Sequence, residues 1–325
     1  LSVGSFFHLD GSLGFRTATE QLVLADGTAV ETRVLTVGGT SLDAFVGLNG
    51  DKYIETPADG SDGEIGLTLS DVEFGLMLAT PEGSQAGVDG LGWTALQATA
   101  GGVSVVGIPG LTLGVENADV AINLVNGVPQ GEDPAGRVID FSAQSLDVLT
   151  GTGTSLALDM DGDQGELLRL SGDVTLALEN FFHVSGNLAF ERSRADVTLS
   201  DANTATVEAL TIGGTGLDAF IGLNGPYRNV DGSINSDAKG FAVSDVEFGV
   251  ALLSEVDGSG DFTDRAWTAA NASVGAIDGI VGLPTLIDIT PSNLALEVNL
   301  AANDGTLVDF DAANYELVTG TGTSL

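Results

Sequence analysis

The densest group of side chains able to do chemistry is Asp159-Met-Asp161-Gly-Asp163-Gln-Gly-Glu166. Alternate carboxylates around a glycine bend can turn several oxygens toward one point, and Ca²⁺, a hard cation, takes about 6–8 such ligands. The spacing is not that of an EF-hand loop, because Gly162 comes too early and the twelfth position is Leu170. Asp159, Asp161, Asp163 and Glu166 are therefore the candidate metal ligands, with Ca²⁺ as the expected cofactor. The other reading of the same residues is an acidic, solvated turn. Looser clusters stand at Asp59, Asp62 and Glu64, at Asp231, Asn235 and Asp237, and at Asp257, Asp261 and Asp264. Each of these reads first as a wet loop.

Other reactive types offer less. His8 and His183 are the only histidines, and no acid or serine recurs around both at a spacing that suggests a triad. Both read as structural. Trp93 and Trp267 open matching stretches and read as anchors. The two Thr-Gly-Thr-Gly-Thr runs, 150–154 and 319–323, lack the following helix and lysine of a phosphate cradle. No catalytic residue is assigned, and the chain is read as a non-enzyme.

The elements that must position these residues read as strands. From Leu168 to Phe190 the even positions carry Leu168, Leu170, Val174, Leu176, Leu178, Phe182, Val184, Leu188 and Phe190. The odd positions are mostly polar. A period of two gives a pleated strand one apolar and one wet face. Taken as one strand, the stretch would run about 75 Å at ~3.3 Å per residue. Asp26-Gly27 marks a tight hairpin. Gly38-Gly39 shifts the apolar phase from Leu35 and Val37 to Leu42, Ala44 and Val46, as a bulge or corner does.

The pattern occurs twice. Val37-Gly-Gly-Thr40 matches Ile212-Gly-Gly-Thr215, and Leu42-Asp-Ala-Phe45 matches Leu217-Asp-Ala-Phe220. Asp71-Val-Glu-Phe-Gly75 matches Asp245-Val-Glu-Phe-Gly249, and Leu156 matches Leu325. The chain thus reads as a tandem repeat with a period near 175, divided into residues 1–175 and 176–325. The second unit lacks a counterpart of 157–175. The expected fold is all-β, an elongated array of long, mostly antiparallel strands, as stacked sheets or a β-solenoid-like coil.

Acidic residues outnumber basic ones 46 to 10, for a formal charge of −36. Nucleic acid is excluded as a partner, because its phosphates would be repelled. No run of 18 apolar residues is present, so no membrane insertion is expected. The absence of cysteine leaves neither disulfides nor thiolate metal sites.

Three stretches, Phe181–Glu191, Gly213–Gly222 and Leu158–Asp163, resemble repeats of very large secreted bacterial adhesin-like surface and filament proteins. That resemblance spans the chain in style and repeat layout. It implies an extracellular or cell-surface location, calcium-binding stretches, and a spacer role in which the repeats build a stalk. The expected function is a structural repeat unit of a surface fibre, with further copies of the repeat as partners. The alternatives are a module that binds a glycan or another surface and, further off, a polysaccharide-cleaving β-helix. Strand ladders cut at both ends are expected to meet further copies near Leu1–Phe7 and Asn314–Leu325.

Overall fold

The computed structural model describes residues 1–3, 5–50, 63–229, 231–282, 294–313, 317–320 and 323–324. The chain folds as an antiparallel meander. Its first strands are β1 (Ser2–Val3), β2 (Phe7–Val23), β3 (Ala29–Leu48), β4 (Ile65–Pro81), β5 (Gly92–Val106) and β6 (Leu111–Asn126). A hairpin follows, β7 (Leu146–Gly151) with β8 (Thr154–Leu158). The meander resumes with β9 (Leu167–Leu178), β10 (Phe182–Thr198), β11 (Thr204–Leu223), β12 (Lys239–Val256), β13 (Phe262–Val281) and β14 (Leu294–Leu300). A second short hairpin follows, β15 (Val318–Gly320) with β16 (Thr323–Ser324), preceded by one α-helical turn, Phe310–Ala313.

Twelve of these strands form one sheet, in the order β1-β2-β3-β4-β5-β6-β9-β10-β11-β12-β13-β14. The all-β, antiparallel expectation holds, and no described segment coils as a solenoid. Among the described residues the sheet does not close into a barrel, since β1 and β14 each have a neighbour on one side only. β6 pairs with β9 from Leu111↔Leu178 to Asn123↔Leu167, so the sheet crosses residue 175 without a break. The division at 175/176 falls inside β9.

The stretch from Leu168 to Phe190 is not one strand. It turns back on itself at Glu179, whose φ is 51°, and β9 pairs with β10 from Leu178↔Phe182 onward. The loop holds three residues, Glu179, Asn180 and Phe181. An odd loop brings residues of equal parity opposite each other, so both arms keep their apolar side chains on the even positions. Alternation along the chain is therefore the same for a hairpin as for an uninterrupted strand. Three strands still reach 20 residues, β3, β11 and β13, well beyond the usual ~5–6.

The phase shift after Gly38-Gly39 is a bulge, but the glycines are not its pivot. The ladder slips between Gly39 and Leu42, where Ser41 has φ 50°, and between Gly214 and Leu217, where Gly216 has φ 59°. Gly38 does something else. A Cβ there would stand 2.4 Å from the carbonyl oxygen of Leu149 on β7, and at Gly14, its cross-strand neighbour, 2.3 Å. Gly213 meets the carbonyl of Val318 on β15 in the same way, at 2.4 Å. Missing side chains let each short hairpin lie backbone-close on the sheet. The Thr-Gly-Thr run at 150–154 is the β7–β8 turn, with Gly153 at φ 79°.

Each short hairpin caps a core on one face of the sheet. Under the first lie Leu22, Val30, Val34, Met77, Trp93 and Val148. Under the second lie Val197, Val207, Leu253, Trp267, Val308 and Leu317. A sheet needs a second layer to bury its apolar side, and here that layer is two small hairpins with the loops that lead into them.

Candidate functional site

Strand β3 shows how the two faces differ. Val30, Thr32, Val34 and Thr36 are buried under the hairpin layer, while Leu35 between them is 39% exposed. The same alternation runs through the neighbouring strands and leaves a second apolar face that no described segment covers. One row of cross-strand neighbours runs Phe15–Val37–Leu76–Leu96–Ile122–Leu168 and goes on past Arg192 to Leu210, Leu252, Thr268 and Leu300. The next row, two residues along, joins Phe74, Val120, Leu170, Phe190, Ile212 and Val250 through small residues such as Gly39 and Ala98. Both rows cross eleven strands, and Arg192 is the single ionisable side chain in them.

Below the bulges the apolar face continues. Val46, Leu67, Val105, Leu113, Leu176 and Val184 form an unbroken cross-strand row. Continuity across the bulge is physical, since a Cβ on Gly39 would meet Leu42, Phe74 and Leu13 together. Phe15 is 67% exposed, Leu170 43% and Ile212 41%.

Carboxylates occupy the intervening positions, on the hairpin side. Asp10 stands opposite Asp43, and Glu116 opposite Asp173. Like charges facing each other cost stability, and local donors offset this. The amide of Asp71 donates to Asp43 at 3.0 Å, and Asn117 Nδ2 donates to Asp173 at 2.8 Å. The result is a sheet with one open, mainly apolar face and one face shared between the two capped cores and these acids.

The acids singled out from the sequence, Asp159, Asp161, Asp163 and Glu166, sit in the return from β8 to β9, and three of them, Asp159, Asp161 and Glu166, accept from separate donors. Asp159 exchanges two hydrogen bonds with the Gln97 side chain on β5, both at 2.8 Å. Asp161 caps the 3-10 turn Gly162–Gln164, accepting from the amide of Asp163 at 2.9 Å. Glu166 accepts from the amide of Val125 on β6 at 3.4 Å. Among the described residues no three histidine, aspartate or glutamate side chains form a group that could hold a metal ion. Asp59 and Asp62 lie outside the described residues, as do Asn314 and Leu325 of the expected contact region.

A recurring device explains part of the acid content. Asp26, Asp161, Asp201, Asp231, Asp257 and Asp304 each accept from the backbone N–H two residues on, at 2.8–3.1 Å. Such Asx turns close tight loops with a side chain in place of a backbone carbonyl. Hydrogen bonds from Thr306, its hydroxyl first and then its amide, with further help from Arg265, hold the Asp304 carboxyl down to about 2. The Ser233 hydroxyl and amide lower Asp231, and the amide and side chain of Asn203 lower Asp201.

The histidines do not build a reaction centre. His8 is buried, with Nδ1 2.9 Å from Ser2 Oγ, and His183 Nε2 lies 3.2 Å from Ser185 Oγ. Burial pushes the His183 imidazole down against the pull of Asp218. The cavity beside it measures about 10 Å³, room for one water at most. It is closed by Arg228, which donates to Ser244 at 2.9 Å and approaches Asp278 at 3.9 Å. That network joins residues from three separate stretches, so no sequence spacing announces it.

Both tryptophans anchor the return segments. Trp93 donates to the Arg137 carbonyl and Trp267 to the Thr306 carbonyl, at 2.7 and 3.0 Å. Asn123 and Asn299 repeat the pattern on the carbonyls of Ile139 and Val308, at 2.7 and 2.8 Å. Fold and surface thus define an open, single-sheet antiparallel meander with hairpin caps on one face. No family model, no curated protein and no solved structure matches this chain.

Proposed function

We propose that the chain is a structural repeat unit of an extracellular or cell-surface fibre, lengthened by adding strands to one sheet. The observation that carries this reading is the β6–β9 pairing, which joins the two sequence repeats through a ladder of the same kind as those within them. Strand β14 stands where β6 stands: Leu300 faces Thr268 as Leu124 faces Thr94. Among the described residues nothing pairs with its outer edge. A strand equivalent to β9 would fit there, placing Glu297 opposite an arginine in the position of Arg169. The surface location rests on the repeat resemblance, the missing cysteines and the −36 charge, which keeps fibres from clumping.

The test is to append a further Ala157–Leu325 segment after Leu325, which matches Leu156. Six added strands should lengthen the particle by about 29 Å along the strand-stacking direction, at ~4.8 Å per strand. Small-angle scattering and electron microscopy read that dimension. A particle that gains a flexibly tethered bead instead overturns the proposal.

A further inference from the structure

The face opposite the hairpins is apolar across eleven strands apart from Arg192, which pairs with Glu208 at 3.4 Å, and we propose that it is the docking surface for the same face of a second copy of this chain. The contact is independent of strand addition at β14, because it uses the broad face of the sheet rather than its edge.

The argument begins with area. A compact monomer of 32.9 kDa exposes about 12,500 Å² by the usual scaling, whereas this chain exposes 16438 Å². Ten inter-strand steps make the uncovered face about 48 Å wide, and about twelve residues per strand on average make it about 40 Å long. That is roughly 1,900 Å² per copy, against ~300–600 Å² for the largest apolar patch of an ordinary monomer. If twist lets only half of each face touch, the pair still buries about 1,900 Å², near the lower bound for obligate homodimers.

Chemistry selects a second copy over other covers. Facing sheets pack about 10 Å apart with interdigitating side chains. The second row sets Phe74 between the small residues Gly39 and Ala98, while the first is large from Phe15 to Leu168, so bulky side chains and gaps both stand on this face. A self-complementary face also closes, since a two-fold pair satisfies both copies at once and leaves no open end. Charge permits it. Asp10, Asp43, Glu116 and Asp173 lie on the hairpin side and would point outward. An anionic bilayer would meet the whole −36 charge at its own surface and is the poorer partner.

Sedimentation velocity on the 325-residue chain tests the proposal. The expected result is a species of twice the 32.9 kDa chain mass at micromolar concentration, strengthened by added NaCl as charge repulsion is screened. Replacing Leu170→Glu and Ile212→Glu together places two carboxylates in the contact while both side chains remain solvated in the monomer. That pair should raise the dimer Kd by about a hundredfold or more, with an unchanged β-sheet circular dichroism spectrum. A second measurement covers a variant that misfolds: spin labels on an Ile212→Cys protein should show a short distance between copies, in a chain with no other cysteine. A monomer at every concentration overturns the proposal, as does a dimer indifferent to the glutamates. A monomer that carries lipid in native mass spectrometry overturns it in favour of an acyl-chain surface.

Discussion

Trp93 donates its indole N–H to the carbonyl of Arg137, at 2.7 Å, across 44 residues of chain. The ring is 2% exposed and roofs the core between the sheet and the first hairpin. Trp267 holds the Thr306 carbonyl the same way. Each indole thus fills the core and satisfies a backbone acceptor in the segment that leads to a hairpin cap.

Trp93→Phe keeps most of the apolar area and removes the donor. Leaving the Arg137 carbonyl unpaired should cost about 1–3 kcal/mol. Trp267→Phe should cost a similar amount. Urea unfolding followed by circular dichroism measures both, and a loss confined to one of them would show that the two caps are held differently.

Gly38→Ala should destabilise by about 1–3 kcal/mol, because the new methyl meets a backbone carbonyl rather than a side chain that can swing away. Gly258→Ala is the control. Nothing lies within 4 Å of a Cβ at Gly258 and its φ is not positive, so its thermal midpoint should stay near the parent's.

Glu179→Gly should stabilise, or at worst be neutral. A non-glycine residue at φ 51° bears a left-handed penalty of about 1 kcal/mol, which glycine relieves. In the interior of an uninterrupted strand the same change would cost about 0.5–1 kcal/mol. The sign of the shift in unfolding midpoint therefore distinguishes hairpin from strand.

Acid should unfold the protein through its Asx turns. Asp304 has a folded value of about 2 against an ordinary 3.8, and Asp201 and Asp231 shift in the same direction. Depressed carboxyl values contribute stability that is complete above the unfolded value and lost as pH falls through the folded one. The urea midpoint should be level above about pH 5 and fall between about pH 4 and 2. Asp304→Asn should lower the neutral-pH midpoint and flatten that fall.

The sequence by itself determined the strand class, the two-faced pattern and the doubling. Alternation of Leu, Val and Phe with polar residues has one backbone solution, and Asp26-Gly27 marks its turn with residues suited to it. Trp93 and Trp267 were legible as anchors because large aromatics at matching positions seek cores. The candidate acids were legible as a cluster, but where each carboxylate points was not. Asp159 reaches Gln97, 62 residues away, and Glu166 reaches Val125, 41 residues away.

Only the tertiary structure decided that Leu168–Phe190 folds back at Glu179, since an odd loop leaves the parity of the pattern untouched. It alone decided which of two apolar faces receives the hairpins. Both faces of β3 carry apolar residues, and what separates them is a row of absent side chains at Gly14, Gly38 and Gly75, where Leu149 and Val148 come down onto the sheet. Close approach depends on residues far apart in sequence meeting in register, and alternation within one strand holds no record of that meeting.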